Sequence, residues 1–408
     1  MNIAIIITIC SLLLIAYVFS ITAPRTRIPS VILLLLLGWI VRQLAGLLDL
    51  DIPKLTNLLP ILGTVGLVLI VLEGSLELEL NKSKMPIIRR SFFIALVPIL
   101  VLGVVLAYLF HYYSHASLRV SLLNAIPLCV ISSAIAIPSV KNLPAGDKEF
   151  AIYESTLSDI LGVLFFNFIA LNAVIDFSAF THFGVQLFVM VVVSFAATIG
   201  LSFLLSRIDH HVKHTPIILL VILIFAISEV YHLPALIFIV IFGLFMGNFD
   251  QLKSFSWVQK FRPEVLDKEV EKFKEITIEA AFVVRALFFL LFGYLIETTE
   301  LLNMNSLVWA VGIVALIFII RTVQLKAYSL KLKPLLFVAP RGLITILLFF
   351  TIPAADNIAL MNKSLVMQVI VLTALVMMVG LMFSPTAGKE VKPELKDAVA
   401  PTHEVIPD

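Results

Sequence analysis

The chain is predicted to fold as an all-α polytopic membrane protein of about thirteen transmembrane helices, each crossing with about 20 apolar residues. Three observations lead there. Hydrophobic residues make up 61% of the 408 residues and charged residues only 14%, with a mean hydropathy of +1.09. A soluble domain sits near half apolar and about a quarter charged. The apolar residues fall into runs of crossing length, broken by Pro, Gly or charge clusters. Basic residues then collect in alternate loops between the runs, as they do where loops face the cytoplasm.

The runs place spans at 2–21, 29–48, 57–76, 91–111, 119–140, 149–173, 184–205, 215–230, 234–249, 276–296, 306–327, 335–352 and 364–384. The first lacks a basic leading region and is long enough to cross, so it reads as a span and not as a cleaved signal. Arg25 and Arg27 separate it from the second. Lys82, Lys84, Arg89 and Arg90 precede the fourth, and Lys141 and Lys148 divide the fifth from the sixth. Arg207 and Lys213 close the seventh. The eighth and ninth are short, parted only by Val230-Tyr231-His232-Leu233-Pro234. The 250–275 loop then carries Lys253, Lys260, Arg262, Lys268, Lys272 and Lys274, and Lys326, Lys331 and Lys333 follow the eleventh span. The opposite loops hold little beyond Arg42, Lys54, Arg119 and Lys363. This asymmetry puts the N-terminus outside and the C-terminus in the cytoplasm. Fusing the eighth and ninth spans would carry the basic 250–275 loop to the wrong side.

Within that loop Val265, Val270 and Phe273 alternate with charges, the pattern of a short amphipathic helix on the cytoplasmic surface. The division expected is a transmembrane domain over 1–387 and a disordered cytoplasmic tail over 388–408, charged and Pro-containing and without a phosphate-binding loop. Cys10 and Cys129 lie in apolar runs and read as small fillers. No nucleophile, metal or cofactor constellation points to an enzyme, and a net charge of +2 suggests no nucleic-acid partner. The setting expected is a cell inner (plasma) membrane, with lipids as neighbours.

Few ionisable residues fall inside the spans: Glu73, Glu154, Asp159, Glu279, Arg285, Arg321 and Arg341. An acidic residue at a helix centre costs roughly 2.5–3.5 kcal/mol on insertion scales, so each marks a functional or paired site. Glu154-Ser155-Thr156-Leu157-Ser158-Asp159 is the densest group. Glu154 and Ser158 lie one turn apart, as do Ser155 and Asp159, so the four line adjacent strips of one helix. Asp159 reads as the site of a transported cation or proton, and Glu154 as a fixed partner of Arg321. The fifth span carries Ser132-Ser133-Ala134 and then Pro138; the twelfth carries Ala339-Pro340-Arg341-Gly342. Both read as broken helices whose freed carbonyls can ligate a cation, in the manner of inverted-repeat transporters. Glu73, near a helix end, reads as structural; Glu279 and Arg285, six residues apart, need not meet. Arg341 reads as satisfying helix-end carbonyls. His111, His115, His210, His211, His214 and His232 read as solvated.

These motifs resemble the monovalent cation–proton antiporter family, in its sodium/proton exchanger branch. Leu72-Glu73-Gly74-Ser75-Leu76 is similar to that family's Phe-Glu-Gly-Gly-Leu segment. The 154–159 motif is similar to Glu-Ser-Leu-Leu-Asn-Asp, with Thr156 and Ser158 as departures. Ile319-Ile320-Arg321 resembles its Ile-Ala-Arg element, and Pro340-Arg341-Gly342-Leu343 its Gly-Leu-Arg-Gly. The resemblance implies a dimerisation part at about 1–85 and 215–300, a core part at about 91–173 and 306–384, and a homodimer. It implies that Asp159 alternately holds the cation and the proton, with Ser155 as an oxygen ligand and Arg321 as the partner of Glu154. Ser158, Ser132 and Ser133, where the sequence departs from the family, are further candidate oxygen ligands, with Arg341 and Glu73 in support. The family's fifth span usually reads Thr-Asp-Pro; here Ser132-Ser133-Ala134 stands in its place, so one carboxylate is missing. The function implied is exchange of a monovalent cation for protons, Na+ first and K+ or Li+ next, one for one and without a cofactor. A gated cation channel, a sodium-coupled symporter and a non-transporting subunit or sensor are the other readings the sequence leaves open.

Overall fold

The computed structural model describes residues 2–26, 28–47, 58–81, 83–208, 214–231, 233–252 and 263–384. Among these the regular elements are all helical, with no strand. The helices are α1 (Asn2–Thr26), α2 (Ser30–Leu47), α3 (Leu58–Glu77), α4 (Met85–Ser114), α5 (Leu118–Ala125), α6 (Ser133–Ser139), α7 (Ala145–Leu171) and α8 (Phe177–Arg207). They continue as α9 (His214–Val230), α10 (Leu236–Gly247), α11 (Phe249–Leu252), α12 (Pro263–Tyr294), α13 (Thr298–Leu301), α14 (Met304–Ala327), α15 (Leu343–Thr351) and α16 (Lys363–Met382). Nine helical segments among the described residues are long and apolar enough to cross a membrane, counting Leu118–Ser139 as one. Apolar stretches on α1, α9 and α10 are shorter.

The helices pack in two groups. In one, α12 lies along α2 and α3, and α10 along α3 and α8. In the other, α4 packs on α5 and α7, α14 on α16 and α4, and α6 on α7. Lipid-like solvent gives helices no hydrophobic reason to associate, so small residues that allow close packing decide where they meet. Gly38 of α2 and Gly293 of α12 face each other's helices: the carbonyls of Leu290 and Leu35 lie where a Cβ would stand. Any side chain at either position would push the two backbones apart.

One element and one histidine differ from the sequence reading. Residues 263–275 are not a separate surface helix but the first turns of the 32-residue α12. Leu266, Val270, Phe273, Thr277 and Ala281 form one buried stripe from the charged turns into the apolar ones. The exposed Lys268, Glu271 and Lys272 on the other face gave the region the look of a loop. His214 is not solvated either; it is 6% exposed, and its Nε2 stands 3.0 Å from Glu269 Oε2. Its partner is on α12, some fifty residues away, which local polarity does not reveal. His210, His211, His232, residues 253–262 and the expected tail lie outside the described residues.

Candidate functional site

The fifth and twelfth sequence spans are both interrupted. Chain 118–139 forms α5, a single 3-10 turn at Ile126–Leu128, a non-helical stretch at 129–132, and then α6. Pro127 has no N–H to give and restrains the residue before it, so α5 ends there. The second interruption covers the residues before Leu343, where α15 begins. The two meet: the Ser132 N–H donates to the Pro340 carbonyl at 2.9 Å. Gly342 lies against Ser132 and Ile135, with Ser132 Oγ 2.8 Å from where its Cβ would be. Only a residue without a side chain lets the segments cross this closely.

Arg341 is fully buried at the crossing and satisfies freed carbonyls. Its Nε donates to Leu128 O at 2.7 Å and its NH1 to Ala339 O at 2.9 Å, while its own N–H donates to Thr373 Oγ1 at 3.0 Å. This guanidinium also puts a fixed positive charge beside the crossing.

Asp159 reaches the crossing from α7 and is 1% exposed. Its Oδ2 accepts both the backbone N–H and the hydroxyl of Ser133. Its Oδ1 has no hydrogen-bond partner among the described residues. Ser158 Oγ accepts the Ile131 N–H at 2.9 Å and so ties α7 to the non-helical stretch. Ser132 Oγ is buried without a hydrogen-bond partner among the described residues. Ser155 gives its proton to Ala151 O at 2.8 Å and has no hydrogen bond to Asp159. Asp159, Ser133, Ser132 and Ser158 are therefore gathered at the break, whereas Ser155 is held along its own helix.

Glu154 and Arg321 meet in a bidentate pair, at 2.6 and 3.0 Å, with side chains 1% and 3% exposed. Arg321 Nε and NH2 also donate to Leu335 O, at 2.9 and 2.6 Å. The pair joins α7 to α14 and to the chain leading into α15.

Glu73 on α3 pairs with Arg285 on α12 at 3.3 Å. The sequence gives Arg285 no partner, since Glu279 need not meet it, and reads Glu73 as structural near a helix end; neither expectation joins the two. No local pattern marks a pair 212 residues apart; the signal available was that a cation and a carboxylate both stand in apolar runs. Glu73, Arg285, Glu77, Lys141 and Lys148 line a cavity of about 280 Å³ bounded by α1, α2, α3, α6, the start of α7 and α12.

In chemical terms the crossing offers one carboxylate with a free oxygen, several hydroxyls and carbonyls released from helical bonding. Among the described residues no three His, Cys, Asp or Glu side chains cluster as for a transition metal. Hard oxygen ligands carrying a single formal charge suit a monovalent cation. A proton relieves the same charge. Both cannot do so at once.

The profile of the family described as sodium/hydrogen exchanger, transmembrane, matches residues 10–389. No curated protein matches the chain. Among solved structures, the sodium proton antiporter MjNhaP1 from Methanocaldococcus jannaschii at pH 8 superposes with a TM-score of 0.66 and 18% identity. That match covers 94% of this chain and 96% of the other. An electron-microscopy structure of the same antiporter gives a TM-score of 0.65 at 18% identity, covering 94% and 95%. At that identity the likeness speaks for the fold alone.

Proposed function

This chain belongs to the sodium/hydrogen exchanger family, and from that premise we propose that it exchanges one monovalent cation, Na+ first, for one proton. The observation that carries the reading is Asp159: a buried carboxylate with one unpartnered oxygen, at the crossing of two interrupted helices. A bare carboxylate is expensive in that place. Na+ or H+ removes the cost, and competition for a single charge, in a site open to each side in turn, is sufficient for exchange. Ser133, Ser132 and Ser158 position the carboxylate or supply oxygens. Glu154 and Arg321 hold α7 to α14, and Arg341 fastens the crossing. Sodium is the first choice because the structural relative is described as a sodium proton antiporter.

The two packing groups support a scaffold formed by α1–α3, α10 and α12 and a moving part that carries α4–α7 and α14–α16. On this reading the scaffold mediates a homodimer, the chain crosses a plasma membrane about thirteen times, and alternate basic loops place the C-terminus inside. The test is a pH-sensitive dye in everted vesicles holding the protein. Addition of Na+ should dequench the dye with wild type and not with Asp159→Asn, a variant expected to keep its fold. K+ and Li+ rank the cations. Dequenching by Asp159→Asn at the wild-type rate would remove Asp159 as the carrier.

A further inference from the structure

The charged cavity stops short of Asp159. Ile137 of α6 and Ile152 of α7 form part of its wall. Along α7, Ile152, Thr156 and Asp159 are spaced i, i+4 and i+7 and therefore share one face. Thr156 stands between the cavity wall and the carboxylate. It is 1% exposed and leans on α3 at Gly74. A methyl on Gly74 would lie 3.0 Å from Thr156 Oγ1, 3.4 Å from its Cγ2 and 3.9 Å from Ile137 Cδ1. The absence of a side chain on Gly74 is what makes room for Thr156.

The Thr156 hydroxyl is also unspent. Several buried hydroxyls in the bundle return their proton to the carbonyl one turn back: Ser75 to Val71, Ser155 to Ala151, Thr277 to Phe273. This habit satisfies a polar group with no outside partner. Thr156 does not follow it, and its Oγ1 has no hydrogen-bond partner among the described residues. A buried polar atom left without a partner is a cost that calls for an explanation.

We infer that Thr156, packed on Gly74 and Ile137, is the gate between the charged cavity and Asp159, and that its hydroxyl oxygen takes the place of one water on the cation during passage. The inference rests on the antiport reading and adds to it a route and a gating residue. Gly74 and Thr156 belong to different packing groups, so a shift of α7 against α3 parts them. A cation leaving the cavity sheds water at this step. A hydroxyl oxygen lowers that cost, and a smooth apolar wall does not. The ion does not rest there, because a lone neutral hydroxyl holds it far more weakly than the carboxylate beyond.

The test compares wild type, Thr156→Ser, Thr156→Val and Gly74→Ala in proteoliposomes. Thr156→Val keeps the shape and removes the hydroxyl; Gly74→Ala fills the contact. Both are expected to lower the maximal Na+-driven exchange rate by about tenfold, the effect of one lost oxygen contact on the barrier. Thr156→Ser should run near the wild-type rate. Sodium affinity at equilibrium, read as the Na+-dependent rise in melting temperature in detergent, should stay at the wild-type value in all three. Wild-type exchange rates in Thr156→Val overturn the gate while leaving the antiport reading intact. Loss of sodium affinity in step with rate makes Thr156 a ligand of the bound ion and overturns the gate as well. If Gly74→Ala does not fold, the Val and Ser variants decide by themselves. A wild-type protein that performs no exchange withdraws the antiport reading and the gate with it.

Discussion

Glu154 and Arg321 are both ionisable and both buried, and neither is tolerable there alone. Their two hydrogen bonds, and the two that Arg321 gives to Leu335 O, satisfy most of what burial takes away. Removing one partner strands the other, which in buried pairs costs about 3–5 kcal/mol. Glu154→Gln and Arg321→Gln should each lower the melting temperature in detergent, and the double substitution should cost clearly less than the sum. Additive losses would show that the two charges do not depend on each other. Residues of this kind are easy to find in sequence because a charge in an apolar run is conspicuous and demands a partner. Asp159, Glu154, Arg321 and Arg341 all stand out on that ground alone. Which cation meets which carboxylate is a different matter. The Glu73–Arg285 pair joins α3 to α12 across 212 residues, and Ser155 prefers a carbonyl of its own helix to Asp159. Such choices are made by tertiary packing and by rotamers, neither of which leaves a local pattern.

At the scale of elements, most long helices follow from apolar length, and the interruptions follow from Pro and Gly placed where a crossing helix should be regular. Pro340 and Gly342 mark the second break; for the first, the sequence points to Ser132-Ser133-Ala134 and Pro138, whereas Pro138 lies inside α6 and α5 ends at Pro127. The start of α12 was hidden for the opposite reason. Its early turns expose so many charges that composition suggests a separate surface helix, while the buried stripe from Leu266 to Ala281 runs through without a break. The contact of α2 with α12 depends on the two facing glycines. Gly293→Leu should force the backbones apart and cost about 1–3 kcal/mol, the usual range for overpacking. The expected sign is a lower melting temperature with α2 and α12 still helical by circular dichroism. An unchanged melting temperature would mean that these helices do not meet at Gly38 and Gly293.

For the whole molecule, the balance of charge at the crossing sets the stoichiometry of exchange. On the proposed reading one carboxylate, Asp159, changes partners during the cycle. Glu154 is held by Arg321, and an arginine does not release its proton in proteins. Serine at position 158, beside Asp159, adds no charge. Glu73 is committed to Arg285 in the cavity and not at the crossing. Ala134 and Ser133 leave the broken helix α6 without a carboxylate of its own. A single negative site that swaps one monovalent cation for one proton carries the same charge in both directions of the cycle. Exchange should then be electroneutral. In liposomes clamped with K+ and valinomycin, an imposed potential should neither drive nor slow Na+-coupled proton movement. Glu154→Gln combined with Arg321→Gln should leave that indifference unchanged wherever the double variant still transports, because the pair is outside the cycle. If the potential alone builds a Na+-coupled pH gradient, a second group binds and releases protons in each turn, and Glu154 and Glu73 become the first places to look. A gradient that vanishes in the double variant would assign the extra proton to Glu154 and place the pair inside the cycle after all.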